Sequence, residues 1–138
     1  MNSGNPQYTL SKSERLCSHT RIRNLFSDGN TFLVFPLKFV WIKGEFNQEP
    51  IAQTAFTASK KSFKRAVHRN QIKRQLREAY RLNKPDFYME IDTGTNEKIN
   101  LMVIFIAKEL LPYKRIENAM KKGLAKMAAL LKEQNNEE

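Results

Sequence analysis

The sequence is poor in cysteine, in acidic residues and in long apolar runs. Cys17 is the only cysteine among 138 residues, so neither an intramolecular disulfide nor a cysteine-based zinc site can form. The longest apolar run, around residues 101–107, is far shorter than the roughly 20 residues that a membrane-spanning helix needs. These scarcities exclude disulfide scaffolds, cysteine zinc modules and integral membrane helices.

The first 13 residues also lack the apolar core of a secretion signal, since they are polar and contain Gly4 and Pro6. We therefore predict a disordered N-terminal tail at 1–13, one folded domain at 14–133 and a frayed tail at 134–138. The chain is predicted to be cytoplasmic and not to bind a membrane.

Acidic residues are scarce in one segment above all. The chain has 24 Lys and Arg against 14 Asp and Glu, a net charge of +10. Ten of those cations but only one acid, Glu78, lie between positions 59 and 84, which gives that segment a net charge of +9. Such a local excess predicts a polyanionic partner, and a local binding surface accounts for it better than a uniformly basic protein.

Hydrophobic periodicity predicts alternating helices and strands. A first helix is expected at 20–27, and strands at 31–35 and 37–43, with Pro36 marking an edge or a bulge between them. Further strands are expected at 51–58 and 99–107, the latter apolar on both faces as in a buried central strand. The basic segment predicts a helix at 67–83 that Pro85 ends, followed by a loop at 86–98. A last helix is expected to begin near Pro112.

The predicted basic helix divides into two arcs. At 100° per residue, Ile72, Leu76, Ala79 and Tyr80 fall on one side, where they could dock on a sheet. Five cations fall within a neighbouring arc of 140° with no acid among them. Like charges at this spacing repel, so their arrangement indicates that a polyanion, either a nucleic acid or an anionic membrane surface, supplies the counter-charge.

A longer motif covers the same segment. Ser-Lys-Lys at 59–61 ends the predicted strand, and Ala-Val-His-Arg-Asn-Gln-Ile-Lys-Arg-Gln-Leu-Arg-Glu follows at 66–78. This resembles the signature of the bacterial ribonuclease P protein, in which Ala-Val-x-Arg-Asn-x-x-Lys-Arg-x-x-Arg follows a Ser-Lys-Lys strand end. The resemblance extends over about residues 14–131.

The resemblance implies both a fold and partners. The fold would be an α/β (α+β) two-layer sandwich, ribosomal protein S5 domain 2-like, whose mixed sheet of about four strands has a strand–helix–strand crossover carrying the basic helix. The basic helix would bind ribonuclease P RNA. A cleft between the first helix and the sheet would hold the single-stranded 5′ leader of precursor tRNA, and the isolated protein would be a monomer.

The candidate site residues follow from the motif and the charge. The RNA-binding candidates are Lys60, Lys61, Lys64, Arg65, Arg69, Asn70, Lys73, Arg74, Arg77 and Arg81. By the resemblance, Ile22 and Phe26 would line the leader cleft. Phe39 and Trp41 share one face of their strand and are candidates for stacking on bases, with packing in the core as the alternative.

A protein nuclease would need a carboxylate cluster for metal ions or a pair of histidines for acid–base chemistry, and neither pattern is visible. The resemblance implies instead a non-catalytic subunit of an endoribonuclease. The RNA subunit would bind Mg²⁺ and hydrolyse the phosphodiester, and the protein alone would bind no cofactor and no metal.

Three alternative functions can be compared with the sequence. A ribosome-associated RNA-binding module could carry a similar basic crossover helix. A membrane-surface protein could use the last helix, where lysines flank a stripe of Met and Leu. A sequence-specific DNA binder is disfavoured, because strands rather than a helix and a turn precede the basic helix.

Overall fold

Three helices and four strands make up the described part of the computed structural model, which covers residues 14–16, 19–43, 52–94 and 98–136. In chain order the elements are α1 (His19–Asp28), β1 (Asn30–Val34), β2 (Leu37–Lys43), β3 (Ala52–Ala58), α2 (Ala66–Gly94), β4 (Ile99–Phe105) and α3 (Tyr113–Asn136). The order matches the predicted one. The predicted N-terminal tail and Cys17 lie outside the described residues.

The sheet is mixed and has the strand order β1-β2-β4-β3. β1 pairs with β2 and β2 with β4 in antiparallel fashion, whereas β3 and β4 are parallel and are joined through α2. Parallel neighbours require such a crossover. β4 therefore lies between two strands, and six of its seven residues are buried, as its apolar sequence predicted.

The two faces of the sheet are covered by different helices. One face, here called the helical face, packs against α2 and α3 through residues such as Phe39, Leu101 and Val103. The opposite face, here called the α1 face, packs against Leu25 of α1 through Val40 and Met102. Because successive residues of a strand point to opposite faces, each strand contributes to both layers.

α3 approaches the helical face closely at Gly123. A Cβ atom at this position would lie 2.1 Å from Cζ of Phe39, so only glycine allows the observed packing. The ring of Phe39 also stacks on Phe32 of β1, with ring centroids 5.0 Å apart. These contacts anchor β1 and β2 beneath α3.

α2 continues through Pro85 to Gly94, so the predicted helix end is wrong, and the predicted loop at 86–98 is wrong over residues 86–94. A proline inside a helix is unfavourable by about 3 kcal/mol because it lacks an N–H and crowds the preceding turn. Beyond it, Phe87 and Ile91 are only 3% and 1% exposed. Burial of each such side chain contributes about 1.5–3 kcal/mol, which offsets the proline.

Pro36 lies in the two-residue turn between β1 and β2, preceded by a cis peptide bond, and not at a bulge within a strand. Phe35, which was predicted to end a strand, belongs to the same turn. The amide N–H of Ile106 donates a hydrogen bond to the carbonyl of Pro36 at 2.9 Å. The hairpin turn is thereby fixed against the end of β4.

None of the helices in the described ranges is long and apolar enough to cross a membrane. In α3, the stripe that could have met a membrane surface is buried instead, including Ile116, Met120, Leu124 and Met127. Core packing therefore accounts for the apolar side of this helix. α3 is helical to Asn136, and the predicted tails stay predictions.

Candidate nucleic-acid interface

The apolar and charged arcs of α2 are separated as predicted. Ile72, Leu76, Ala79 and Tyr80 are all fully buried against the sheet and α3. On the other arc Asn70, Arg74 and Arg77 are exposed, and Arg69 and Lys73 are half-buried. The helix is therefore docked by one side and presents cations to solvent on the other.

The loop before α2 carries four more candidate cations, Lys60, Lys61, Lys64 and Arg65, all of them exposed. Ser59 shapes this loop, because its Oγ accepts hydrogen bonds from the backbone N–H groups of Lys61 and Ser62. Phe63 anchors it, being 5% exposed with its ring 5.9 Å from that of Phe105. A buried aromatic thus holds an otherwise exposed basic loop at the end of the sheet.

Arg69 joins this loop to the helix. Its Nη1 donates hydrogen bonds to the carbonyls of Phe63 at 2.7 Å and Lys64 at 2.9 Å. A guanidinium has five N–H donors, so those on Nε and Nη2 remain for another acceptor. Arg69 therefore has a structural role in addition to its predicted contact with RNA.

Arg81 is paired within the protein. Its Nη2 and Nε donate to the Glu78 carboxylate at 2.6 and 3.1 Å. This hydrogen bond lowers the pKa of Glu78 and raises that of Arg81. Because both side chains are more than a third exposed, the pair contributes at most about 1 kcal/mol to stability. Its charge is nevertheless balanced, so Arg81 is a weaker candidate for phosphate binding than the sequence indicated.

Lys84 does not belong to the surface at all, since it is 3% exposed. Its Nζ donates to both oxygens of Glu14, at 3.1 and 2.9 Å, and the hydroxyl of Tyr88 donates to the same carboxylate at 2.7 Å. Burial is the main cause that raises the pKa of Tyr88, which keeps the phenol protonated as a donor. We call Glu14, Lys84 and Tyr88 the buried junction.

Eight of the ten cations of the segment remain after Arg81 and Lys84 are set aside. Within the described part of the chain, none of these eight forms an ion pair with a carboxylate. They are Lys60, Lys61, Lys64, Arg65, Arg69, Lys73, Arg74 and Arg77. The surface they form, here called the basic surface, can neutralise several phosphates at once.

A second surface lies where α1 crosses the sheet. Ile22 is half-buried beside Leu25 and Val40, whereas Phe26 is 63% exposed. Next to the strip that α1 covers, Lys38 of β2 is paired in register with Leu33 of β1 and Ile104 of β4. Aliphatic side chains and a cation therefore share the α1 face, and the exposed ring of Phe26 belongs to the helix that packs on it.

Phe39 and Trp41 do not reach this surface. They are 0% and 2% exposed on the helical face, so the prediction that they stack on bases is wrong and packing in the core is what the structure shows. Their neighbours Lys38 and Val40 face α1 instead. β2 is apolar on both faces, so its alternation could not indicate which side would be open.

Among the described residues, no group of three or more His, Cys, Asp or Glu side chains is arranged to hold a metal ion. The acidic side chains next to the basic surface are used otherwise, since Glu78 pairs with Arg81 and Glu14 with Lys84. What the site offers is cations, hydrogen-bond donors and one exposed aromatic ring.

Comparison with known proteins agrees with this arrangement. The family model described as Ribonuclease P matches residues 10–128, which is most of the chain. The chain belongs to the ribonuclease P protein family.

Relatives and solved structures agree with the family. A ribonuclease P protein component from Porphyromonas gingivalis is 37% identical over 125 residues, covering 89% of each chain. One from Chlorobium phaeobacteroides is 34% identical over 92 residues, covering 64% of this chain and 63% of the relative. The RNase P protein structure from Staphylococcus aureus has a TM-score of 0.63 at 21% identity, covering 85% and 96% of the two chains. That from Thermotoga maritima has a TM-score of 0.54 at 20% identity, covering 87% and 96%.

Family membership confirms the fold that the motif implied, a four-stranded mixed sheet with three helices. Within the described ranges, the basic surface presents cations and the α1 face presents apolar side chains beside Lys38. The sequence predicted the residues of the basic surface, and it predicted Ile22 and Phe26 beside the α1 face, and their contacts with RNA stay predictions. The sequence did not indicate Lys38, because its place beside α1 depends on which face of the sheet the helices α2 and α3 leave open.

Proposed function

We propose that this chain is the protein subunit of ribonuclease P and that it binds the RNA subunit through the basic surface. The observation that carries the proposal is the set of eight cations without carboxylate partners among the described residues. Left alone, they repel one another, and phosphates of a folded RNA relieve that repulsion. Arginine suits the role because its planar fork matches two phosphate oxygens.

The 5′ leader of precursor tRNA is proposed to lie along the α1 face. A single strand exposes its bases, which can stack on an aromatic ring such as that of Phe26. Ile22 would form the apolar floor next to it. Lys38 of β2 can take a leader phosphate, whereas Phe39 and Trp41 of the same strand are too deeply buried to stack on its bases.

The endonucleolytic step, which removes the leader and leaves the mature tRNA 5′ end, is assigned to the RNA subunit. In this proposal the RNA holds the Mg²⁺ ions that activate water and stabilise the leaving oxygen. The protein binds no cofactor itself. It raises the affinity for precursor tRNA through the leader, and its cations reduce the repulsion between two polyanions.

The decisive experiment is cleavage of a precursor tRNA at low Mg²⁺ concentration. We expect no cleavage by the protein alone, slow cleavage by the cognate RNA alone and fast cleavage by the two together. Cleavage by the protein alone would contradict the proposed division of labour. No stimulation by the protein, combined with co-purification with ribosomes, would favour a ribosome-associated RNA-binding protein.

A further inference from the structure

The tip of the β1–β2 hairpin exposes apolar side chains that the proposed leader cleft does not include. Phe35 and Leu33 are 60% and 61% exposed, and Ile106 is 36% exposed. The hydrogen bond from Ile106 N–H to the Pro36 carbonyl holds this turn against the end of β4. We call Leu33, Phe35 and Ile106 the hairpin-tip patch. Its ring is presented to solvent by a backbone that is fixed in place.

A cation accompanies the ring. The guanidinium carbon of Arg115, in the first turn of α3, lies 5.8 Å from the centroid of Phe35. No carboxylate within the described part of the chain forms an ion pair with Arg115. A guanidinium on a ring keeps its N–H donors at the edge, where they can reach a phosphate. The pair therefore offers a stacking surface and a phosphate ligand together.

The patch is continuous with the α1 face. Leu33 is in register with Lys38, and Lys38 with Ile104, so these three side chains form one row across the face on which Ile22 packs. Phe35 follows Leu33 by two residues where the strand ends in the turn, so the two Cα atoms lie no more than about 7 Å apart. A single strand that leaves α1 along this row reaches Phe35 at the turn, where Arg115 of α3 approaches the ring from the helical face.

We propose that Phe35 and Arg115 form a second subsite for single-stranded RNA, which binds one leader nucleotide outside the stretch held beneath α1. Its base stacks on the free side of the Phe35 ring, and its phosphate is bound by Arg115. The inference rests on the proposed function, because it extends the path of the same leader. Recognition by stacking tolerates any base, so the subsite adds affinity without sequence preference.

The test uses the assembled holoenzyme and precursor tRNAs in which one abasic nucleotide is moved along the leader. In the wild type, each position that stacks on the protein should show weaker binding when its base is removed. In Phe35→Ala we expect the penalty to disappear at one position only, and the intact leader to bind at least about fivefold more weakly. Phe35→Trp should retain the wild-type profile.

Arg115→Gln tests the phosphate contact. Its affinity for the precursor should depend less on salt, with a slope smaller by about 0.7, the value for one phosphate of a single strand. A leaderless tRNA should show no change. Lys126→Gln is a matched control, because Lys126 forms a similar contact with the ring of Phe32, 5.1 Å from its centroid, on the helical face. This control should leave both affinities unchanged.

Several results would overturn the inference. The abasic profile of Phe35→Ala could equal that of the wild type, or the variant could lose affinity equally for leadered and leaderless tRNA. It could also abolish a self-association detected by sedimentation, which would make the patch a protein interface. Met89→Ala, at a 66% exposed side chain of α2, controls for unspecific effects of removing surface apolar area.

The design separates this inference from the proposed function. If Phe26→Ala removes the penalty at some leader positions while Phe35→Ala removes none, only the second subsite is wrong. If no leader position is sensitive even in the wild type, the proposed leader cleft fails as well. Because the Phe35 ring is largely exposed, the melting temperatures of the variants should stay close to that of the wild type.

Discussion

Lys73 and Lys84 stand on the same helix, eleven residues apart, in opposite environments. Lys73 belongs to the basic surface and pairs with no carboxylate in the described part of the chain, whereas Lys84 is buried against Glu14 and Tyr88. Only the first adds to the positive potential that RNA would meet. Counting charges along a sequence therefore overestimates the number of cations available for binding. A cation that is paired with an acid from a distant segment cannot be recognised as paired from the sequence alone.

The buried junction connects the segment before α1 to α2. Leu16 donates its backbone N–H to the carbonyl of Thr54 at 3.0 Å, which pairs residues 14–16 with the free edge of β3. Thr54 in turn donates its hydroxyl to the Tyr80 oxygen at 3.1 Å. Burial raises the pKa of Tyr80 to about 12, so this network stays protonated at neutral pH. The junction therefore stabilises the fold, whereas the basic surface is the one that we propose binds RNA.

The largest expected effect comes from breaking the buried junction. Glu14→Ala would leave the Lys84 charge buried without its counter-charge, and we expect a loss of about 3–5 kcal/mol in unfolding free energy. Urea denaturation measures this value. The double variant Glu14→Leu/Lys84→Met removes both charges and should recover most of the stability. If the single variant unfolds like the wild type, the junction is not a buried ion pair in solution.

The next largest effect is on binding and not on stability. Lys73→Ala should weaken association with the RNA subunit by about 1.5–3 kcal/mol, because one charge-assisted hydrogen bond is lost. The slope of log affinity against log salt should fall by about one unit, with unchanged urea denaturation. Lys73 is preferable to Arg69, which also holds the loop at Phe63. Lys122→Ala on the exposed side of α3 is the control, and an unchanged slope for Lys73→Ala would argue against α2 as the docking surface.

Phe26→Ala should affect only substrates that carry a leader. We expect binding of precursor tRNA to weaken by about 1–3 kcal/mol, the contribution of one stacked base. A leaderless tRNA and the RNA subunit alone should bind as they do to the wild type. Equal losses for both tRNAs would show that α1 contacts the tRNA body and not the leader.

The smallest effect concerns Glu78. The hydrogen bond from Arg81 lowers the pKa of Glu78 in the folded state. The ion pair therefore stabilises the fold above the unfolded pKa of about 4.5, and this stabilisation is lost as the pH falls through the lower folded value. Glu78→Gln should therefore cost less than about 1 kcal/mol at pH 7, and nothing at a pH below both values. The variant also removes the negative charge of Glu78 beside Arg81, and RNA affinity should rise slightly. Weaker RNA binding would indicate that Glu78 orients Arg81 towards a phosphate.

The spacing of residues within α2 predicted which of its side chains are buried and which are exposed. The arcs of α2 follow from a repeat of 3.6 residues, so Leu76 and Arg77 could be assigned to core and solvent from the sequence. The end of α2 was predicted wrongly because Pro85 is a local signal, whereas the burial of Phe87 and Ile91 is a tertiary one. Phe87 and Ile91 in fact continue the spacing of Tyr80, a pattern that the proline obscured.

The sheet shows the opposite case. Phe39 and Trp41 were correctly placed on one face of β2, but both faces of that strand are apolar. Which face α2 and α3 would cover depends on the crossover and on the close approach at Gly123, neither of which is encoded within β2. Because side chains alternate between the two faces of a strand, Phe39 and Trp41 can point either towards α2 and α3 or away from them. The sequence of the strand does not determine which of the two orientations occurs.

By itself, the sequence determined the charge excess of one helix, the order of the elements and, through its motif, the family. These properties depend on residues close together in the chain, where spacing translates directly into geometry. Only the tertiary structure decided which cations remain without a counter-charge, because Glu14 and Lys84 are separated by 70 residues. It also decided which side of the sheet is open, because burial depends on elements that pack from elsewhere in the chain.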